Sequence, residues 1–435
     1  MMDVPTDVML RALKAVGAPS LRDGLPSGRV WSRKEWLSYA MLIDGSASEE
    51  WARVVVVGSD GVARSVRVPA AVRSPFRVCP SGQLLSRVLK EADSPVVSIS
   101  AGSDRTDADA VIRDDTGEFT LRCWDASEYP APADIPVDAP SVELDWDRLS
   151  AAVARVSRSD KPKSWGGGWY AFIGDADGVR LVCTSRRVVT SVLLDREPPA
   201  APFYGPVPPG ALKALRRMTG SGRATVIVWG SAVGVRLLDG RGATVCWESD
   251  PVGSVRVRRG LVSVGGLVPS LDGVRGVLGA KEVASAILGR RELGRAIRAV
   301  GGKPEPGDAA YGSGARVAIV IDPVDNPGRA VVMADGVEYP RSTAISAALS
   351  APGGDRFEAS TTAAFFTAAT RTKDRLSDTV VLRLCRDGSG KEIIVVDGGN
   401  NMIDPDTLGH PDVGWTTATV NESGYFSEED GATQA

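Results

Sequence analysis

Histidine is nearly absent from this chain: His410 is the only one among 435 residues. A Ser-His-Asp or Cys-His catalytic site would have to use it, and it sits in a polar stretch between Gly409 and Pro411. Cysteine is scarce as well. The five cysteines (Cys79, Cys123, Cys183, Cys246 and Cys385) are far apart, and no Cys-x-x-Cys pair occurs. An odd number cannot complete a disulfide framework, and without a close cysteine pair or a second histidine a zinc site has no donor set. Four of them lie in runs that read as strands or strand edges, so buried free thiols are expected. No stretch approaches the roughly 18 consecutive apolar residues that cross a bilayer. Met1–Leu10 carries an acid where a secretory signal would carry basic residues, which points to a cytoplasmic address. Also missing are a G-x-x-x-x-G-K-[ST] loop, a G-x-G-x-x-G after a strand and a G-x-S-x-G elbow. Paired carboxylates leave no short signature, so acid chemistry stays open. The catalytic inventory is thin all the same. A non-enzymatic protein without metal or cofactor is the expectation.

What is present suits a globular protein of two to four domains: 43% hydrophobic and 24% charged residues. The formal net charge of −3 is uneven. From Asn401 onward there are seven acids and no lysine or arginine, so residues 1–400 carry about +4. The polar, acidic stretch 404–435 reads as a solvated or disordered tail.

Alternating apolar runs broken by Gly, Asp and Asn dominate the local pattern and signal antiparallel strands. Arg53–Val57 and Val62–Val68 flank Ser59-Asp60-Gly61; Ala224–Leu238 reads similarly. Val380–Cys385 and Glu392–Val396 flank Asp387-Gly388-Ser389-Gly390 as a hairpin. Pro-rich Tyr129–Pro140 and Gly-rich Gly273–Gly279 mark plausible domain boundaries.

Helical segments are few, and they resemble one another. Leu10–Val16 reappears as Gly294–Val300, with Ser150–Val156 between them, at spacings of 140 and 144 residues. A second type recurs as Pro80–Arg87 and Pro208–Leu215, with Ser360–Arg371 as a Thr/Ala-rich third version. In the first type Leu10, Leu13 and Val16 make a packing stripe, and Arg11 and Lys14 stand beside it, as Arg295 and Arg298 do in the later copy.

Basic residues gather in all six segments, where acids are sparse. Those expected to face DNA are Arg11, Lys14, Arg87, Lys90, Arg155, Arg158, Lys213, Arg216, Arg217, Arg291, Arg295, Arg298, Arg371 and Lys373. One basic helix face is ordinary solvated surface. Six related ones fit a surface that tracks phosphates. No aromatic ladder or recognition-helix signature accompanies them, so such binding is independent of base sequence.

At this point the chain resembles the bacterial β sliding clamps, the processivity factors of DNA polymerase III, over about residues 5–400. Phe119-Thr120-Leu121 followed by Glu128-Tyr129-Pro130 is similar to the strand and turn that close that family's first domain. Val182-Cys183-Thr184-Ser185-Arg186-Arg187-Val188 resembles its V-A-T-D-G-H-R-L segment. Gly266-Leu267-Val268-Pro269 with Val274 resembles G-R-F-P-D-Y-x-x-V, and Ile393–Val396 resembles the final strand.

The resemblance implies an α+β fold of three repeated clamp domains, each two helices packed on antiparallel sheets, with two subunits closing head-to-tail into a ring. The domains would span 1–138, 139–279 and 280–403, followed by the acidic tail. The implied partners are double-stranded DNA, a second copy of the chain, and a replicative polymerase and clamp loader bound through linear peptides. The implied peptide pocket comprises Thr184, Arg186, Arg187, Val188, Val189, Pro269, Val274, Ile394 and Val396. For Val188, Val189 and Ile394 a plain strand-core role is the competing reading. The chain departs from the family where D-G-H-R becomes Ser185-Arg186-Arg187-Val188 and where Asp397 follows Val396 in place of an apolar rim. Those changes are expected to shift peptide preference. The rival readings are a β-rich structural or binding protein without DNA, and an enzyme using carboxylates. The first does not account for three spaced copies of a basic helix, and the thin catalytic inventory disfavours the second.

Overall fold

The computed structural model describes residues 1–17, 40–58, 61–102, 109–130, 139–159, 169–184, 188–230, 232–239, 242–248, 254–257, 260–263, 280–300, 316–322, 324–325, 327–335, 342–349, 357–362, 365–366, 379–386, 390, 392–399 and 414–420. The hairpins read from alternation are there. Trp51–Val57 pairs with Ala63–Pro69, Arg223–Trp229 with Ala232–Leu237, and Thr379–Arg386 with Glu392–Gly399. Gly61 and Gly230, in the first two turns, take φ of 77° and 57°, a region that only glycine enters at little cost.

Five α-helices have both ends among the described residues: α1 (Thr6–Val16), α2 (Gly82–Glu91), α3 (Trp146–Ser159), α4 (Pro209–Leu215) and α5 (Arg290–Val300). The first of each pair follows directly on a strand: Met2–Pro5 before α1, Ser141–Asp145 before α3, and Lys281–Gly289 before α5. Strands also lead into α2 and α4. Start signals are local: the Ser81 hydroxyl caps α2 by accepting from the Leu84 N–H, and Pro209 opens α4.

The chain falls into two compact units, residues 1–150 with 204–251 and residues 151–203 with 252–435. In the first, a nine-stranded antiparallel sheet runs Cys123–Trp124, Arg77–Pro80, Leu42–Asp44, Trp51–Val57, Ala63–Pro69, Thr244–Glu248, Ala232–Leu237, Arg223–Trp229 and Ser141–Asp145. A five-stranded sheet begins at Ala71–Val72 and Met2–Pro5 and continues through Val96–Ala101 to Glu118–Leu121. α1 and α2 pack side by side, and α1 covers Ala63–Pro69. Met9, Leu13, Val16, Leu85 and Leu89 bury their side chains among Ile43, Val54, Ile99 and Ile112.

In the second unit one sheet runs from Trp169–Asp175 through Gly178–Thr184, Val188–Asp195, Gly414–Val420, Glu392–Gly399, Thr379–Arg386 and Lys281–Gly289. It continues through Ser342–Leu349, Arg329–Asp335 and Arg316–Ile321 to Phe357–Thr362. α5 lies on the Arg329–Asp335 and Ser342–Leu349 strands, burying Leu293, Ala296, Ile297 and Val300. Each of the larger three contributes about 1.5–3 kcal/mol by leaving water.

Two expectations are corrected. Ser360–Arg371 is not one helix: Ser360–Thr362 ends a strand, and helix appears at Phe365–Phe366, because Thr361 and Thr362 favour the pleated backbone. The stretch 404–435 is not wholly a solvated tail. Gly414–Val420 is a strand inside the second unit's sheet, rich in the β-formers Trp415, Thr416, Thr417, Thr419 and Val420. Among the described residues no helix is long and apolar enough to cross a membrane.

Candidate nucleic-acid interface and partner site

α5 shows how local sequence makes a charged face. Leu293, Ala296, Ile297 and Val300 are buried, which turns Arg291, Arg295 and Arg298 outward on one stripe. Their spacing of four and three residues puts three positive charges along about 10 Å of helix axis. α1 repeats the arrangement with Asp7, Arg11 and Lys14 exposed, though Arg11 is ion-paired to Asp7 at 2.7 Å. In α2 Arg87 and Lys90 are exposed, and around α4 Lys213, Arg216 and Arg217 are.

The end of α1 draws further cations. Gly17, with φ 63°, closes the helix, its N–H bonded to the carbonyls of Leu13 and Lys14. A Cβ at Gly17 would stand 2.9 Å from Arg64 Nη1 and 3.8 Å from Arg217 Nη1. Positive groups from two segments outside the helix therefore approach the negative end of its dipole. Nothing in the sequence marked Arg64, since an arginine on an alternating strand is ordinary.

Arg155 departs from expectation. Its side chain is only 6% exposed, because α3 turns that position inward with Ala152, Val153 and Val156. It cannot present its guanidinium to an outside duplex. Arg158 lies in α3, but its side chain, like Arg371 and Lys373, is outside the described residues.

The partner-site residues divide similarly. Arg186, Arg187, Pro269 and Val274 lie outside the described residues. Thr184 ends the Gly178–Thr184 strand, and Val188 and Val189 open the next. Val189 packs against Ala171, Ile173 and Val182. Ile394 and Val396 sit on Glu392–Gly399, two strands away from Val188, because Gly414–Val420 intervenes. Val188 and Ile394 are both opposite Thr419 in the register. Ile394 and Val396, at 0% and 1% exposure, pack in the core with α5, which for Ile394 is the strand-core role.

Asp397 is likewise no exposed rim residue. It is 5% exposed and ion-paired to Arg383, which also lies 3.6 Å from Glu282. Burial alone would lower the Arg383 pKa, but Asp397, Cys385 and Glu282 outweigh it and hold that pKa above its ordinary value. Burial pushes the Cys123 and Cys385 thiols up to about 11, and all five cysteines are buried.

The turn at Glu128-Tyr129-Pro130 has a clear structural task. The buried Tyr129 hydroxyl donates toward the carbonyls of Ala40 and Val55 and accepts from the Val57 N–H at 3.0 Å. It pins the chain to two separate places in the first unit's sheet. Among the described residues no group of three or more His, Cys, Asp or Glu side chains could hold a metal ion.

No protein-family model and no curated protein matches the sequence. Solved structures do match the fold. The beta subunit of the DNA polymerase of Streptococcus pyogenes superposes with a TM-score of 0.68 at 12% identity, covering 96% of this chain and 98% of that one. The sliding clamp of Bacillus subtilis gives 0.65 at 12%, with the same coverage. The Helicobacter pylori beta clamp bound to a DNA ligase peptide gives 0.62 at 13%, covering 97% and 99%. Across nearly its whole length, and at very low identity, this chain has the fold of the bacterial DNA polymerase III beta subunits, the sliding clamps.

Proposed function

We propose that the protein is a DNA sliding clamp, a ring that encircles duplex DNA and holds a replicative polymerase on it. The carrying observation is the outward basic stripe of α5, with its counterparts on α1, α2 and α4, in a chain of clamp fold. Three repeats per chain need two chains to make six domains, so the working form is a homodimer with twelve helices around the hole. Closure also removes sheet edges that would otherwise invite association. The helices hold phosphates loosely, and topology, rather than a tight base-specific contact, prevents escape. Such a protein is a non-enzymatic processivity factor of the cytoplasm. Polymerase and clamp loader would engage it through linear peptides, as the Helicobacter pylori clamp engages a DNA ligase peptide.

Particle images with a mass measurement test this reading. A ring with an open hole, at about twice 45.6 kDa, is expected. A stable monomer or a trimer would contradict the geometry, and a compact particle without a hole would favour a structural protein that does not hold DNA.

A further inference from the structure

The Gly414–Val420 strand occupies an unusual place. It lies between Val188–Val192 and Ile393–Gly399, antiparallel to both. Among the described residues it is the only hydrogen-bonded link in that sheet between the strands of 169–195 and those of 281–399. Thr419 is opposite Val188 and Ile394, Ala418 opposite Val189 and Val395, and Thr417 opposite Thr190 and Val396. Without it, two strand edges would face one another about 10 Å apart, each with a row of unpaired backbone groups. That gap has the width of one extended chain and offers backbone partners on both sides, twice what addition to a single edge supplies.

Two further observations bear on how firmly the slot is filled. The strand hangs on residues 400–413, so its hold is intramolecular and its departure breaks no covalent bond. Ser191, opposite Thr416, is 1% exposed, and among the described residues its Oγ has no hydrogen-bond partner.

We propose that Gly414–Val420 is a resident strand that an extended peptide of a partner replaces by strand exchange. This rests on the reading that the protein takes linear peptides, but not on the encirclement of DNA. The chemistry of the slot defines the peptide. Ile394 and Val396 face the core, so residues opposite them must be apolar or threonine. Arg383 already neutralises Asp397, so no basic residue is demanded there. The fitting partner is an uncharged stretch of about seven residues, rich in small and β-branched side chains. The site is closed until such a peptide outcompetes the chain's own strand.

The test uses a labelled synthetic peptide of residues 412–422, read by fluorescence anisotropy without DNA. A chain ending at Ile403 is expected to bind it with micromolar affinity. The full chain should bind it about 100–1,000-fold more weakly, because a tethered strand competes at near-millimolar effective concentration. Should the shortened chain not fold, full-length Thr417→Pro serves instead, since proline removes a ladder donor and loosens the resident strand. It too should gain peptide binding. The proposal is overturned if a folded shortened chain, or the folded Thr417→Pro chain, binds no better than the parent. It is equally overturned if a peptide carrying proline at position 417 binds as well as the unmodified one. DNA retention measured on the same samples separates failure of strand exchange from failure of the clamp reading.

Discussion

Replacing Arg295 and Arg298 by alanine should flatten the salt dependence of DNA binding by a calculable amount. Both side chains are exposed on α5, away from its buried face, so the substitutions leave the core untouched and should change stability by no more than about 0.5 kcal/mol. Each phosphate contact contributes about −0.9 to the slope of log K against log salt. Two arginines then account for about 1.8 per protomer, and about 3.6 in a ring of two if all four touch phosphates together. Doubling the salt should therefore weaken the parent about 12-fold more than the variant. The assay is titration of labelled duplex at several salt concentrations. Arg113→Ala with Arg223→Ala is the control, since these arginines are exposed but paired on strands to Glu118 at 2.6 Å and Glu143 at 3.0 Å. The reasoning is refuted if the helix variant keeps the parent slope, or if the control loses as much.

Other consequences are narrower. Gly17→Ala should destabilise the first unit by about 1 kcal/mol or more in thermal unfolding, because φ is 63° and the new Cβ would crowd Arg64. Tyr129→Phe strands the Val57 N–H and should cost about 1–3 kcal/mol, read by urea unfolding. Asp397→Asn leaves the largely covered Arg383 with Glu282 as its remaining ion-pair partner among the described residues and should cost about 3 kcal/mol; an unchanged melting temperature would contradict the weight given to that pair. The five thiols should resist a thiol reagent at pH 8 until the protein unfolds. The Cys385 pKa is raised from 9.0 to about 11, so its contribution to stability is complete below 9 and is lost as pH rises toward 11, where unfolding releases the proton.

Much of the fold was legible because it is local. Hairpins such as Trp51–Val57 with Ala63–Pro69 announce themselves by period-two alternation around a glycine turn. The helices α1 and α5 do so by a shared stripe and charge pattern. Burial was harder to read. Arg155 stands one position beyond the level of Lys14 and Arg298, where the other copies carry Ala15 and Ala299, and lies on the covered side of α3; one residue's turn around a helix is not resolved by a count of basic residues. The strand at Gly414–Val420 was hidden by its neighbourhood: seven acids and no base in the surrounding stretch outweighed a short run of Thr, Trp and Val. Its partners, Val188–Val192 and Ile393–Gly399, are some 220 and 20 residues away, pairings that a local pattern cannot contain. The Arg383–Asp397 pair is a cross-strand contact of that kind and turned an expected rim acid into a buried, neutralised one.

Encirclement itself is tested most directly by topology. The protein is incubated with a bacterial clamp loader and nicked circular DNA, the salt is raised until electrostatic binding is lost, and half of the sample is then linearised with a restriction enzyme. A ring remains on the circles through gel filtration and slides off the linear molecules. Equal loss from circular and linear DNA would contradict the account.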